Sequence, residues 1–261
     1  MKRILVGFIL MISCQLNAQE KTSVIYDNHT QVRKVPSFTA ISVSSAIDLY
    51  LTQANSNEVA VSATEDEIRD HIITEVVGGT LIIRLGEHGT WFSWKKWGNY
   101  KTKAYVSIKE INAITASGAS NVHLVSTLES PKMRIKLSGA SDFHGDIKAG
   151  TIDYKLSGAS EYIGKVTATN ILIEESGASS IDLEGTSDDL SLMISGASDA
   201  KLYKLVTKGA VVHTSGASHA KVNVTEMIKA VASGASDIDY KGNPAVKESS
   251  NTGASNIRHR N

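Results

Sequence analysis

The sequence predicts an all-β parallel β-helix, a solenoid with about 19 residues per turn. The first observation is the tetrapeptide Ser-Gly-Ala-Ser, which occurs seven times between residues 117 and 236 and once more, as Thr-Gly-Ala-Ser, at residues 252–255. The start-to-start spacings are 21, 19, 19, 19, 20, 18 and 19 residues. The second observation is that apolar and polar residues alternate before each copy, as in residues 132–137 and 151–156. Regular repetition with period-two flanks is typical of stacked strands.

Each repeat contains the parts of one turn. The residues before the tetrapeptide form one strand, a second short strand such as Asn121–Leu124 follows it, and an apolar position recurs six residues past it. These later apolar positions include Ile147, Val166 and Val224. Glycine permits a positive φ or a close backbone approach at a tight corner, where alanine is small enough to fit. We therefore expect the tetrapeptides to stack at one corner, with their serines forming hydroxyl ladders, and not to act as a flexible linker.

The amino terminus has the pattern of a secretory signal peptide. Lys2 and Arg3 precede the apolar run Ile4–Ile12, which is too short to span a bilayer, and small Ala18 marks a cleavage point. The sequence thus predicts a signal peptide over residues 1–18 and an N-terminal extension over residues 19–35, in an exported protein of the periplasm or cell surface. The segment that ends at Cys14 resembles a lipobox, so a lipoprotein anchored through Cys14 is the alternative.

Composition limits the classes of partner. Removal of residues 1–18 leaves 25 basic and 27 acidic residues, a net charge near −2. Such a balanced surface argues against nucleic acid and against bulk attraction to anionic membranes. Cys14 is the only cysteine, so a chain cleaved after Ala18 has no disulfide. No other segment is long and apolar enough to cross a membrane, and no cofactor or metal is predicted.

The segment before the repeats also predicts strands. Alternation begins at Pro36, with Ser44-Ser45-Ala46 in the place of a first, degenerate tetrapeptide. Residues 65–70 favour a short helix, and residues 72–77 and 81–85 around Gly78-Gly79 favour a strand pair. Counting these strands as further turns predicts one continuous solenoid of roughly ten or more turns.

Several of these motifs together resemble a known family. Phe38-Thr39-Ala40-Ile41, the segment Ile47–Gln53, Gly79-Thr80-Leu81-Ile82-Ile83 and the Ser-Gly-Ala-Ser turns are similar to the head GIN family of secreted bacterial domains, which is common in Bacteroidetes and described as autotransporter adhesins. The resemblance covers one domain over residues 36–261, with the regular repeats at 116–261. It implies a single-stranded, right-handed parallel β-helix and surface binding, and it carries over no catalytic residue.

The residue after each tetrapeptide is a candidate ligand-binding position. If the following residue points inward, these side chains point outward and stack in a polar ladder, whose acidic members are Asp142, Glu161, Asp199 and Asp237. Two residues further on, the same face carries His123 and its equivalents. Such a face could bind Ca²⁺ or a polysaccharide, or it could be a solvated strand surface that resists aggregation. The sequence lacks the glycine-rich nonapeptide of Ca²⁺-binding β-rolls, which favours the solvated surface.

An aromatic window interrupts the strand pattern. Its members are Trp91, Phe92, Trp94, Trp97 and Tyr100, with lysines interleaved. Amphipathic aromatic side chains suit stacking on sugar rings or docking of a protein. The alternative is a loop that folds back and covers the side of the solenoid.

These features predict a non-catalytic, adhesin-like envelope protein that binds a cell-surface glycan or an envelope protein. An envelope polysaccharide-cleaving enzyme on the same scaffold is the alternative, although no nucleophile motif or metal-ligand spacing is present. Self-association through an open end of the β-helix is a further expectation. Arg258 and Arg260 near the last strand are expected to oppose it by like-charge repulsion.

The two readings of the amino terminus differ in the mature chain. Mass spectrometry of the protein purified from its host should show a chain that begins at Gln19, because Ala18 fits the small-residue requirement of the signal peptidase. A diacylated chain that begins at Cys14 would contradict this and identify an anchored lipoprotein.

Overall fold

The computed structural model describes residues 29–86 and 100–260, and its strands form one continuous 19-stranded sheet that winds into a solenoid. The elements that precede the regular repeats are β1 (Gln31–Arg33), β2 (Ala40–Val43), β3 (Ile47–Gln53), β4 (Glu58–Ala63), α1 (Asp66–Asp70), β5 (Ile72–Val77), β6 (Thr80–Leu85) and β7 (Thr102–Ile108). Those of the repeats are β8 (Ala113–Ala116), β9 (Asn121–Leu124), β10 (Leu128–Leu137), β11 (Asp142–His144), β12 (Ile147–Leu156), β13 (Glu161–Glu175), β14 (Ser180–Ile194), β15 (Asp199–Thr214), β16 (His219–Ala232), β17 (Asp237–Lys241), β18 (Ala245–Asn251) and β19 (Asn256–His259).

The repeats stack in parallel, in a register set by the 19-residue period. Ile152 pairs with Ile171, which pairs with Leu190 of the next turn, so equivalent residues form columns along the axis. All three side chains are buried, because alternate residues of each strand point into the solenoid. The apolar positions predicted after the tetrapeptide, Ile147 and Val166, lie in a second buried column. The predicted parallel β-helix of about 19 residues per turn is therefore confirmed.

The tetrapeptides all lie at one corner. In each turn the alanine N–H donates to the glycine carbonyl of the preceding turn, as from Ala159 to Gly139 at 2.7 Å and from Ala178 to Gly158 at 2.8 Å. The glycines have φ near +76°, in the left-handed region. The degenerate copy occupies the same corner, because a Cβ added to Gly118 would lie 3.2 Å from the backbone nitrogen of Ser45.

The buried serines of the corner do not form the continuous hydroxyl ladder that the sequence suggested. Ser141 and Ser160 each donate to the carbonyl of the first serine in their own tetrapeptide, at 2.9 and 3.0 Å. Only one direct contact between stacked serine hydroxyls is found in the described part of the chain, at 3.2 Å between Ser179 and Ser198. A local carbonyl three residues back is the nearer acceptor, so each turn closes its own corner.

The coils at the N-terminal end are stacked out of chain order. Ile41 of β2 pairs with Ile114 of β8 on one side and with Leu81 of β6 on the other, and β3 lies likewise between β9 and β7. The outermost coil is formed by β6 and β7. Next to it, β4 pairs antiparallel with β7 and with β1, and β5 forms the expected hairpin with β6. The segment between β3 and β8 therefore closes the end of the solenoid instead of adding sequential turns. The fold has about eight turns, and the expectation of ten or more was wrong.

The basic residues near the last strand are paired rather than repelling. Arg258 contacts Asp239 at 2.8 Å and Asp237 at 3.2 Å, and Arg260 contacts Asp239 at 3.2 Å. Burial alone would raise the pKa of Asp239, yet the hydrogen bonds from the two guanidinium groups hold that pKa below its usual value. The expected electrostatic guard is therefore wrong, because the two positive charges are compensated by Asp237 and Asp239 and fasten β19 to β17.

One inward position breaks the apolar pattern. Glu175 occupies the column of Leu156 and Ile194 and is 3% exposed. Ser179 donates a 3.3 Å hydrogen bond to one oxygen of its carboxyl group, and the other oxygen is buried without a partner in the part of the chain described. Burial raises the pKa of Glu175 to about 8, and the nearby charge of Asp199 acts in the same direction. The neutral acid is therefore the form that the core accommodates at neutral pH.

The corner geometry predicts an unequal cost for two alanine substitutions. Gly79 and Gly158 both have φ of +76°, but a Cβ at Gly79 meets nothing within 4 Å, whereas one at Gly158 lies 2.5 Å from the carbonyl oxygen of Gly139. Gly79→Ala should cost about 1 kcal/mol of unfolding free energy, from backbone strain alone. Gly158→Ala should cost clearly more, because the stacked backbones must also separate. Equal melting temperatures for the two variants would contradict the packed corner.

The buried carboxyl predicts a pH-dependent weakness. Because the folded pKa lies above the unfolded value, unfolding releases a proton between pH 4.5 and 8, and stability falls as pH rises through that window. The loss above pH 8 is about 5 kcal/mol at most. In urea unfolding, Glu175→Leu should remove this contribution, so that its advantage over the wild type grows from pH 5 to pH 9. Glu174→Gln, at the adjacent exposed position, is the control that should show no such growth. A constant difference between Glu175→Leu and the wild type would refute the assignment.

Candidate functional site

The polar ladder predicted from the sequence occupies the face formed by the short strands after each corner. We call it the first row; its members are Asp48, Asn121, Asp142, Glu161, Ser180, Asp199, His219, Asp237 and Asn256, each paired in register with the next. The residues that follow them, such as Val122 and Tyr162, are fully buried, so the row points outward. Asp142 and Glu161 are adjacent in the row. Ser180 separates Glu161 from Asp199, and His219 separates Asp199 from Asp237. The ligand-binding role of these acids stays a prediction.

Amide side chains link the rungs at both ends of the first row. Asn121 donates to Asp48 at 2.8 Å, and Asn256 donates to Asp237 at 2.9 Å. In both cases a neutral amide donates to the carboxylate, and the position next to Asp48 or Asp237 therefore does not hold a second carboxylate that would repel it. The row is thus a set of side chains ordered by their neighbours along the axis.

A second row lies two residues further along each strand. It contains Tyr105, Tyr50, His123, His144, Ile163, Asp182, Lys201, Lys221, Asp239 and Arg258. Its first four rings stack, with centroid distances of 5.4, 5.1 and 5.7 Å. Each ring covers the face of the next, so the stack presents ring edges to its surroundings. This geometry supplies polar edge atoms and stiffness, and it offers little open ring face for a sugar.

One histidine of the stack, His123, favours the neutral form. Burial lowers the pKa of His123, and the neighbouring His144 lowers it further, against the opposing effect of Asp48 and Asp142. Two imidazolium groups at stacking distance would repel each other. The stack therefore favours an uncharged imidazole at His123, beside the acids of the first row.

Most of the aromatic window lies outside the described residues. This applies to Trp91, Phe92, Trp94 and Trp97, and only Tyr100, which is half-exposed just before β7, is described. The window joins β6 to β7 in the outermost coil. Its binding role remains a prediction from the sequence.

A long surface groove follows a bend in each turn. The bend lies between the segment that begins with the recurring apolar position, such as Val166, and the strand that leads into the next tetrapeptide. The ladder skips one residue there in every turn, namely Pro131, Gly150, Thr169, Asp188 and Lys208. This elbow groove encloses about 890 Å³ and crosses successive turns from β10 to β16. It could not be predicted from the sequence, because the bend has no repeated motif. The only signal was a pair of small residues, Ala149 and Ala168, at equivalent positions of successive repeats.

A second concavity of about 710 Å³ lies on the face before the tetrapeptide corner. Lys155 and Glu174 form a 2.8 Å ion pair on one side of it, and exposed Met193 lies beside His213 on the other. Its lining is therefore mixed, with paired charges next to apolar side chains.

The described residues contain no group of three or more His, Cys, Asp or Glu side chains arranged to hold a metal ion. Within residues 29–86 and 100–260, no helix has the length and apolar character needed to cross a bilayer.

The fold and its outward rows define a class: right-handed parallel β-helices whose repeated turns present ordered side chains along the axis. The chain belongs to the family described as "Putative auto-transporter adhesin, head GIN domain", whose profile matches residues 37–171 and 145–244. The head GIN resemblance is thereby confirmed. A comparison with curated proteins gave no match.

Solved structures with the same fold come from Bacteroidetes. A "putative adhesin" from Parabacteroides merdae ATCC 43184 has a TM-score of 0.78 and 18% identity, over 89% of this chain and 95% of that one. A "putative adhesin" from Parabacteroides distasonis ATCC 8503 has a TM-score of 0.77 and 22% identity, over 88% and 96%. A "Putative lipid binding protein" from the same strain has a TM-score of 0.76 and 20% identity, over 89% and 96%. At these identities the likeness shows the fold.

Proposed function

We propose that this chain is an exported, non-catalytic, adhesin-like protein of the cell envelope that binds a cell-surface glycan or an envelope protein. The observation that supports this most directly is the in-register display of the first and second rows on one outward face. A stack of hydrogen-bonded turns spaces equivalent side chains by roughly 4.8 Å. Such a surface suits a long partner that makes many weak contacts in a line.

Rigidity favours binding by such a surface. The side chains of the rows are held by backbone ladders, by amide bridges such as Asn121 to Asp48, and by ring stacking between Tyr50 and His123. Ordering a partner on a preorganised surface costs less conformational entropy than ordering both sides. Hydroxyl, carboxylate, amide and imidazole groups are all able to bond the hydroxyls of a glycan.

Further features of the proposal come from the sequence and from similar proteins. The leader over residues 1–18 supports export to the periplasm or the cell surface, with lipidation of Cys14 as the alternative. Two of the structures with the same fold are described as adhesins. The aromatic window remains a second candidate contact surface, and self-association through an end of the solenoid is a further partner hypothesis.

A glycan array and a turnover assay on the same purified protein test the proposed function. We expect retention of one or more glycans, with no reducing ends or unsaturated products released. The double variant Asp142→Asn plus Glu161→Gln should weaken binding if the first row makes the contact, because it removes two adjacent acceptor charges. Glu184→Gln, an exposed acid outside both rows, is the matched control. Release of product from any polysaccharide would favour the alternative, a polysaccharide-cleaving enzyme.

A further inference from the structure

We propose that the elbow groove is a binding site for an uncharged polysaccharide chain laid parallel to the solenoid axis. This proposal rests on the binding function above and adds to it a second binding surface with a stated ligand class. It is separate from the first and second rows, which lie on the short strand directly after each tetrapeptide corner.

The floor of the groove is shallow and apolar. Ala149 and Ala168 are half-buried and aligned in register, and both line the groove while packing against the core beneath it. The lining extends from Ser130 of β10 to Thr225 of β16. Four steps of strand stacking, from β10 to β15, span roughly 19 Å. The channel is therefore long enough for several sugar rings, whose C–H faces would rest on this apolar floor.

Four of the five charged residues that line the groove form two ion pairs, and the fifth, Glu226, is exposed at one end. Lys148 contacts Glu129 at 3.4 Å near one end, and Lys208 contacts Asp188 at 2.7 Å near the other. The hydrogen bond from Lys208 to Asp188 raises the pKa of the lysine, which keeps it charged and engaged. An anionic polymer would have to break these pairs to find a cation. A neutral ligand leaves them intact.

The middle of the groove carries hydroxyl groups that are available to a ligand. Thr167, Thr169 and Thr186 are exposed, and none of their hydroxyls has a hydrogen-bond partner among residues 29–86 and 100–260. The Ser187 hydroxyl between them is buried and also lacks a partner in that part of the chain. A threonine hydroxyl can rotate to donate or accept, so an incoming hydroxyl can bond the three exposed ones, whereas the buried Ser187 hydroxyl is out of a ligand's reach.

Hydroxyls toward the two ends of the same groove behave differently. Ser130 donates to the carbonyl of Lys132 at 2.9 Å, and Thr207 donates to that of Gly209 at 3.1 Å. Their hydrogen atoms are therefore already committed to the backbone of the bend. The contrast places the available hydroxyls over the Ala149–Ala168 floor, where a chain in the channel would make its closest approach.

Other ligand classes fit this lining less well. An acyl chain would cover several hydroxyl groups without bonding them, which is costly. An extended peptide would gain no backbone ladder, because the strands that bear the groove are already paired on both sides. A neutral chain of hydroxyl-bearing rings satisfies both the hydroxyls and the apolar floor.

The test compares tryptophan at two exposed positions of β13. Thr169→Trp places a large ring in the groove, and Leu172→Trp places the same ring at an exposed position outside the groove and both rows. Affinity electrophoresis would use the neutral polysaccharides pullulan, laminarin, mannan and xylan, the anionic polymers alginate and polygalacturonate, and vesicles of phosphatidylglycerol. We expect retention by at least one neutral polysaccharide, at least tenfold weaker in Thr169→Trp and unchanged in Leu172→Trp. Binding should change little with salt, because a neutral polysaccharide carries no charge.

A second variant removes the hydroxyls without filling the groove. Thr167→Val plus Thr186→Val should weaken retention about tenfold, in line with the loss of one to two hydrogen bonds. Circular dichroism melting curves would verify that each variant is folded.

The outcomes separate the groove from the wider function. Neutral binding that survives Thr169→Trp overturns the groove and leaves the binding function standing. Preference for the anionic polymers or for the vesicles overturns the proposed ligand class. If the wild type retains no polysaccharide, both the groove and a glycan-binding function are wrong.

Discussion

The hydrogen bond between the alanine N–H of one corner and the glycine carbonyl of the corner before it is the contact on which the solenoid depends. It measures 2.7 to 2.8 Å at seven successive corners, from Ala140 to Ala254. The bond requires the glycine in a left-handed conformation, with the preceding glycine directly beneath it. Because the chain meets the same constraint once per turn, the corner fixes the register of the strands on both sides. The columns of buried residues, the two outward rows and the elbow groove all follow from that register.

Much of this arrangement could be predicted from the sequence, because local pattern and tertiary stacking have the same period. The alternation around Ile152 and the recurring tetrapeptide both specify which side chains are inward. The coil order at the N-terminal end could not be predicted. β2 pairs with β8 across 73 residues, and no repeat in the sequence indicates that pairing. The pairing of Arg258 with Asp239 was missed for a related reason: the two residues lie 19 apart, and only the register shows that they are adjacent.

The candidate sites also differ in whether they could be predicted from the sequence. The first row was predictable, because outward direction follows from strand alternation once the corner is known. The elbow groove was not, because its shape comes from a bend at which residues as different as Pro131, Thr169 and Lys208 occupy one position. The aromatic stack shows a further limit: the sequence places Tyr50, His123 and His144 on one face, but only the ring geometry shows that their faces cover one another.

The position of β2 and β3 between later segments has a consequence for how the chain assembles. In the repeats, each new turn finds its template about 19 residues back, so the array can extend by short loop closures. The coil that leaves the ribosome first has no such template. Ile41 can pair only after Leu81 on one side and Ile114 on the other have been synthesised. Synthesis order and stacking order are thus inverted at this end, and the earliest coil becomes an inserted layer whose two edges are covered only after the first true repeat has emerged.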